Sequence, residues 1–170
     1  MARRPVIGVI GGQQPPPEAM PAAEAVGRLV AEAGAVLVCG GLTGVMEAAC
    51  RGAKSAGGLT VGILPGGDAS DANPSVDVAI VTAMGTARNV IVVRTADALI
   101  AIDGSYGTLS EMAHALEQGK RVVSLGAWDL VRAGAEASRV LTADTPEEAV
   151  RLALAEAARG PSTGRPRPQP

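Results

Sequence analysis

Three times in this chain a short aliphatic run ends on glycine and is followed by apolar residues at helical spacing, and that repeated unit limits the folds open to it. Val6-Ile7-Gly8-Val9-Ile10 stops at Gly11-Gly12, residues 35–39 stop at Gly40-Gly41, and Ala98-Leu99-Ile100-Ala101-Ile102 stops at Asp103-Gly104. Runs of this length without polar alternation predict strands buried on both faces, as in a parallel sheet. Between them, Ala22, Ala25, Val26, Leu29 and Val30 form one helical stripe closed by Gly34. Val45, Ala48, Ala49 and Gly52 form another, of side chains small enough for close packing. The pattern predicts an α/β chain with a mostly parallel sheet and helices on both faces. Its glycine loops at 11, 40 and 104 then gather at the carboxyl edge of the strands, where such sheets hold ligands.

The remaining elements follow the same alternation. Residues 60–64, 76–82, 121–125 and 139–142 are predicted strands. Residues 84–95 are read as a helix, because the strands on either side need a crossover to lie parallel. A short helical turn is predicted over 128–133, and Thr145-Pro146-Glu147-Glu148 opens the last helix with a hydroxyl cap, a proline at its first position and acids in its first turn. The tail from Gly160, GPSTGRPRPQP, offers nothing apolar to dock except proline and is predicted disordered. One domain over residues 1–159 is expected.

Composition excludes several functions. With no Phe, one Tyr and one Trp, the core must be built from Val, Leu, Ile and Ala. Lys and Arg total 15 against 17 Asp and Glu, a formal charge of -2, so the basic surface that nucleic-acid binding rests on is not expected. No apolar run approaches a membrane span, and the amino-terminal run breaks too early at Gly11-Gly12 for a signal peptide. A cytoplasmic protein with no membrane partner is expected. Cys39 and Cys50 lack metal-ligand spacing and read as buried free thiols.

The chemistry-bearing stretch is Gly104-Ser105-Tyr106-Gly107-Thr108-Leu109-Ser110-Glu111. A glycine loop opening a helix presents unpaired amides and the positive end of the helix dipole, which suits an anion, phosphate above all. Glu111 stands about one helical turn inside. Read alone, it complements the helix dipole; facing a ligand, it is a candidate acid or base. His114 follows by three positions, yet one histidine without further ligands at fitting spacing does not make a metal site, and none is expected. Tyr106 at the loop tip suits stacking on a base or packing on a partner chain.

Together with Cys39-Gly40-Gly41-Leu42-Thr43-Gly44-Val45-Met46, this stretch resembles the LOG family, the cytokinin-activating phosphoribohydrolases also labelled "lysine decarboxylases". That family's hallmark is Pro-Gly-Gly-x-Gly-Thr-x-x-Glu, preceded by an arginine at the spacing at which Arg88 here precedes Glu111. The likeness covers roughly residues 5–158. Asp103 replaces the family's proline, Ser105 its second glycine, Ser110 the first of its acidic pair, Asn89 a lysine and Cys39 a glycine, which resembles a divergent short branch that includes molybdenum-cofactor carrier proteins.

The resemblance implies a three-layer Rossmann-like fold and hydrolysis of the N-glycosidic bond of a purine nucleoside 5′-monophosphate, with Arg88 and Glu111 catalytic. It implies nucleotide or phosphate contacts from Gly11, Gly12, Gly40, Gly41, Gly44, Met46, Gly104, Ser105, Tyr106, Gly107 and Thr108. It implies no resident cofactor, and a homodimer or higher homo-oligomer formed through helices near 45–53 and 88–98. The alternative is a carrier that holds a nucleotide or a phosphorylated, molybdenum-cofactor-like molecule without turnover. Pyridoxal chemistry needs a Schiff-base lysine; Lys54 lies mid-helix and Lys120 at the far sheet edge. Hydride transfer is disfavoured because no Gly-x-Gly-x-x-Gly follows the first strand.

Overall fold

A computed structural model describes residues 3–128, 130 and 139–160. Of the expected turn at 128–133 only Trp128 and Leu130 are described, and the tail beyond Gly160 lies outside the described residues. The strands are β1 (Val6–Gly11), β2 (Val36–Cys39), β3 (Thr60–Leu64), β4 (Val78–Val81), β5 (Ala98–Ile102), β6 (Val122–Leu125) and β7 (Val140–Thr142). All pairings are parallel, in the order β4-β3-β2-β1-β5-β6-β7. The helices are α1 (Ala19–Glu32), α2 (Val45–Ser55), α3 (Asn89–Thr95), α4 (Tyr106–Glu117) and α5 (Pro146–Arg159). This is the expected Rossmann-like architecture.

Strand alternation sends side chains to two cores. Ile7, Val9, Leu37, Ile100 and Ile102 pack with α1, α2 and α5 through Val26, Ala48 and Ala149. Ile10, Val38, Ile63, Leu99 and Ala101 pack on the other face with Val92 of α3 and Met112 of α4. All five residues of β5 are buried, which is why its sequence shows no polar alternation.

On the first face α1 and α2 cross with their backbones in contact. A Cβ on Gly27 would fall 1.8 Å from the Ala49 carbonyl oxygen, and one on Gly52 would fall 1.9 Å from that of Glu24.

Local hydrogen bonds register the strands. The Asp97 carboxylate accepts from the Val6 amide at 2.8 Å and pairs with Arg3, tying β1 to the start of β5. Asp77 accepts from the Thr60 amide and hydroxyl, each at 3.0 Å, and pairs with Lys54, tying β3 to β4. Lys120 donates to the carbonyls of Val93 and Ala96 at 2.5 Å and of Arg94 at 3.2 Å, closing the carboxyl end of α3. Both lysines are thus engaged away from the glycine loops.

Two elements depart from expectation. The fourth strand is shorter than residues 76–82 and forms a sheet edge, where Val78, Ile80 and Val81 stay exposed. The helix expected over 84–95 starts as a 3-10 turn (Gly85–Arg88), because the preceding chain turns through positive φ at Ala83 and Gly85. Thr145 caps α5 as expected, its hydroxyl accepting from the Glu148 amide at 3.2 Å. Thr145→Ala is expected to cost about 1 kcal/mol in a urea unfolding curve. Among the described residues, no helix is long and apolar enough to cross a membrane.

Candidate functional site

From β1 the chain steps outward to β4 and then crosses back to β5, so strand order reverses between β1 and β5. A crevice opens at their carboxyl ends, as such a reversal demands. Its inner recess, about 150 Å³, is lined by residues from five segments, among them Gly12, Met46, Thr86, Arg88, Thr108 and Glu111. A wider mouth of about 560 Å³ lies beside it, lined by Gly12, Gln13, Gln14, Asp103, Gly104 and Ser105. The two share Gly12, Gln13 and Ser105, and so form one cleft.

Arg88 sits where the 3-10 turn becomes α3 and is 7% exposed. One terminal nitrogen donates to Asn89 Oδ1 at 2.6 Å, and the other to the Gly40 carbonyl at 3.2 Å. The guanidinium lies flat over Gly40, where any Cβ would meet it at 2.5 Å, so glycine is required there by the arginine rather than by its own dihedral angles. Gly44 is required on two counts: its φ is +70°, and a Cβ there would fall 2.4 Å from the Gly12 carbonyl oxygen and 2.5 Å from that of Gln13. That turn lets the Val45 amide donate to the Gly12 carbonyl at 3.0 Å and fastens the loop after β1 to the start of α2.

Glu111, on the second turn of α4, brings Oε1 to 3.8 Å from an Arg88 terminal nitrogen. Both side chains are about nine-tenths buried. Burial pushes the Glu111 carboxyl up to about 7, with Arg88 drawing it the other way. Burial likewise lowers the Arg88 guanidinium, against the pull of Glu111. Both directions say that, at 3.8 Å, the ion pair does not repay its own desolvation.

Two buried side-chain atoms in the recess have no hydrogen-bond partner among the described residues: Arg88 Nε and Thr108 Oγ1. Thr108 is 1% exposed and belongs to the first turn of α4, inside the helix rather than at its cap. The cap residue, Ser105, makes no side-chain capping bond, so the first-turn amides lack a side-chain acceptor. Buried donors are ordinarily satisfied. Here an arginine N–H and a hydroxyl, on two residues that line the recess, are left unpartnered near the amino end of α4.

The residues singled out from sequence divide into three groups. Gly11, Gly12, Met46, Ser105, Gly107, Thr108, Arg88 and Glu111 line the inner recess, and Gly104 lines the mouth. Gly40, Gly41 and Gly44 stand behind the wall: Gly40 under Arg88, Gly41 against Leu64, Gly44 against the loop after β1. Tyr106 points outward, 81% exposed, its ring 6.0 Å from that of Trp128, whose indole N–H donates to the Ser105 carbonyl at 3.2 Å. Pro65 and Thr86 also line the recess, and nothing in their local pattern marked them; Leu42 and Asn89 line it too, noted from sequence only as parts of the family-like stretch and not as contacts. Cys39 and Cys50 are free and buried, with their sulfurs 3.5 Å apart, and the Gly41 amide donates to Cys39 at 3.3 Å. Among the described residues, no group of three or more His, Cys, Asp or Glu is placed to hold a metal ion.

Known proteins share this architecture. A solved molybdenum cofactor binding protein from the phototrophic bacterium Rippkaea orientalis superposes with a TM-score of 0.85 at 42% identity, over 91% of this chain and 98% of its own. The molybdenum cofactor carrier protein of Chlamydomonas reinhardtii superposes with a TM-score of 0.77 at 34% identity, over 90% and 99%. An uncharacterized protein of Archaeoglobus fulgidus is 50% identical over 148 residues, 87% of this chain and 93% of its own. The likeness read from the glycine loops therefore stands at the level of the broader LOG-like grouping. Residues 4–150, which hold every loop of the cleft, match the model of the SLOG cluster 4 family, and the chain belongs to that family.

Proposed function

We propose that this protein binds and carries a phosphorylated pterin of the molybdenum-cofactor kind, without cleaving it. The observation that carries the reading is the pair of buried, unpartnered donors, Arg88 Nε and Thr108 Oγ1, beside the amino end of α4. Each unpaired buried donor costs about 1–3 kcal/mol, a cost that a bound phosphate removes. The first-turn amides and the Thr108 hydroxyl take the phosphate oxygens, and Arg88 supplies the positive charge. The metal is cargo: with no ligand cluster among the described residues, the protein grips the organic part. The named functions of the Rippkaea and Chlamydomonas relatives, over nearly their full lengths, support the same assignment.

LOG-like hydrolysis is the second reading, favoured by Glu111 beside Arg88. Such a reaction gathers positive charge at the sugar, which a carboxylate must meet. With its carboxyl up at about 7, Glu111 is only partly charged at neutral pH, and carriage does not need that charge.

The two readings separate in one pair of measurements. Under nitrogen, the protein is mixed with molybdenum cofactor released from a molybdoenzyme and desalted; molybdenum is expected to elute with the chain in stoichiometric amount. Incubation with AMP is expected to release no adenine above a blank. Thr108→Val, similar in shape and free of the unpaired hydroxyl, is expected to fold at least as well and to retain the cofactor about tenfold less. Adenine release that depends on Glu111, with no molybdenum retained, reverses the assignment.

We place the protein in the cytoplasm as a homo-oligomer. The apolar residues of α2 are largely spent against α1 and the sheet, while α3 keeps half-buried Val90 and Ile91 beside the cleft. A monomer in light scattering removes the oligomer.

A further inference from the structure

We propose that Asp103 reads the aminopyrimidinone edge of the ligand's ring, its carboxylate accepting from two adjacent N–H donors. This rests on the carrier reading and goes beyond it by assigning the end of the ligand remote from the phosphate.

Asp103 follows β5 directly, at the point where strand order reverses. Its φ is +47°, and Ala83 is the only other non-glycine with positive φ among the described residues. Such a backbone is uncommon outside glycine and, where the fold holds it, tends to mark a functional position. The turn aims the side chain across the mouth: Oδ2 lies 3.7 Å from where a Gly12 Cβ would stand. The carboxylate is half-buried and has no hydrogen-bond or ion-pair partner among the described residues.

An unpaired carboxylate beside the amino terminus of α4 competes with any phosphate for the same field, so it does not serve the phosphate end. The mouth has no lysine or arginine in its lining, whereas the recess has Arg88. Charge therefore sorts the ligand, with phosphate at the first turn of α4 against the recess and a neutral, donor-rich part in the mouth. Size agrees, since about 560 Å³ takes a bicyclic ring and about 150 Å³ does not take one together with its phosphate. A 2-amino-4-oxo-pyrimidine edge offers two parallel donors at the spacing of a carboxylate's oxygens. The exposed amides of Gln13 and Gln14 share the rim and can donate to the ring's acceptors.

The test compares a pterin bearing a phosphomonoester on its side chain with its 2-oxo (lumazine) counterpart, by calorimetry on the full chain. The wild type is expected to prefer the pterin by about tenfold or more. Asp103→Gly removes the carboxylate and accepts the positive φ, so it folds. It is expected to bring the preference below about threefold, with lumazine phosphate bound as well or better once the carboxylate no longer repels its 2-oxo group and its phosphate. Asp103→Asn, which keeps one acceptor without charge, is expected to fall between them.

Other outcomes overturn the proposal in distinguishable ways. If the wild type binds neither compound, the carrier reading fails and takes this proposal with it. If it binds both equally, or if Asp103→Gly keeps the preference, this proposal fails alone. If Asp103→Gly weakens ribose 5-phosphate by the same factor as the pterin, the carboxylate serves a diol or the fold, and ring recognition is refuted.

Discussion

Gly27→Ala is expected to destabilise the protein by about 1–3 kcal/mol or more, and Gly52→Ala by a similar amount, reversing the sign that helix propensity alone predicts. Glycine inside a helix is worse than alanine by about 1 kcal/mol, so at an open position either change stabilises. Neither position is open. The new methyl group would lie 1.8 Å from the Ala49 carbonyl oxygen in one case and 1.9 Å from that of Glu24 in the other, and backbone atoms cannot swing aside as side chains do. The helices must separate by an ångström or more. Overpacking that moves backbone costs upwards of about 1–3 kcal/mol beyond the propensity gain. Separation also shifts Met46 at the amino end of α2, and with it one wall of the recess. Urea unfolding midpoints check this, and a loss below about 1 kcal/mol for both variants would show that the helices slide apart freely.

Glu111→Gln is expected to raise stability at pH 8 by about 2–3 kcal/mol and to leave it nearly unchanged at pH 4.5. The folded chain holds the carboxyl up at about 7, whereas its ordinary value is 4.5. Near pH 4, folded and unfolded chains both carry the proton. As pH rises the unfolded chain releases it first, so the wild type loses stability progressively between about 4.5 and 7, to a limit of about 3 kcal/mol. Glutamine has no such proton to lose. Denaturation curves at pH 4.5, 6 and 8 should show a slope in the wild type that the variant lacks; parallel curves would mean that Arg88 compensates the charge fully. A phosphate in the cleft further disfavours the Glu111 anion, so wild-type phosphate binding is expected to tighten as pH falls through about 7 and the variant's to stay flat.

Most of the architecture was legible because buried parallel strands leave an unmistakable mark: β5 is apolar at every position since both its faces are covered. The crossover at 84–95 was legible only from topology, and its 3-10 start, which sets the direction of Arg88, depends on positive φ at Ala83 and Gly85 that composition does not announce. Arg88 and Glu111 were marked by family spacing, and they do meet. Gly40 was marked as a ligand contact, while its place is beneath the Arg88 guanidinium, a relation between residues 48 positions apart that no local pattern encodes. The approach of Cys39 to Cys50 escaped for the same reason. Asp103 was marked only as a departure from the family's proline; the positive φ that turns its carboxylate across the mouth has no signature in the local sequence.

The place of β1 has a consequence for how the chain is made. β1 is translated early, yet one of its flanks stays bare until β5 arrives to set Ile100 beside Val9. The cleft draws on both halves, Gly12 and Met46 from the early one, Thr108 and Glu111 from the late one. A molecule seated there acts as a rivet across the seam, so amide exchange should slow most in the facing residues of β1 and β5, and a nascent chain cut before the second half has no rivet hole to offer.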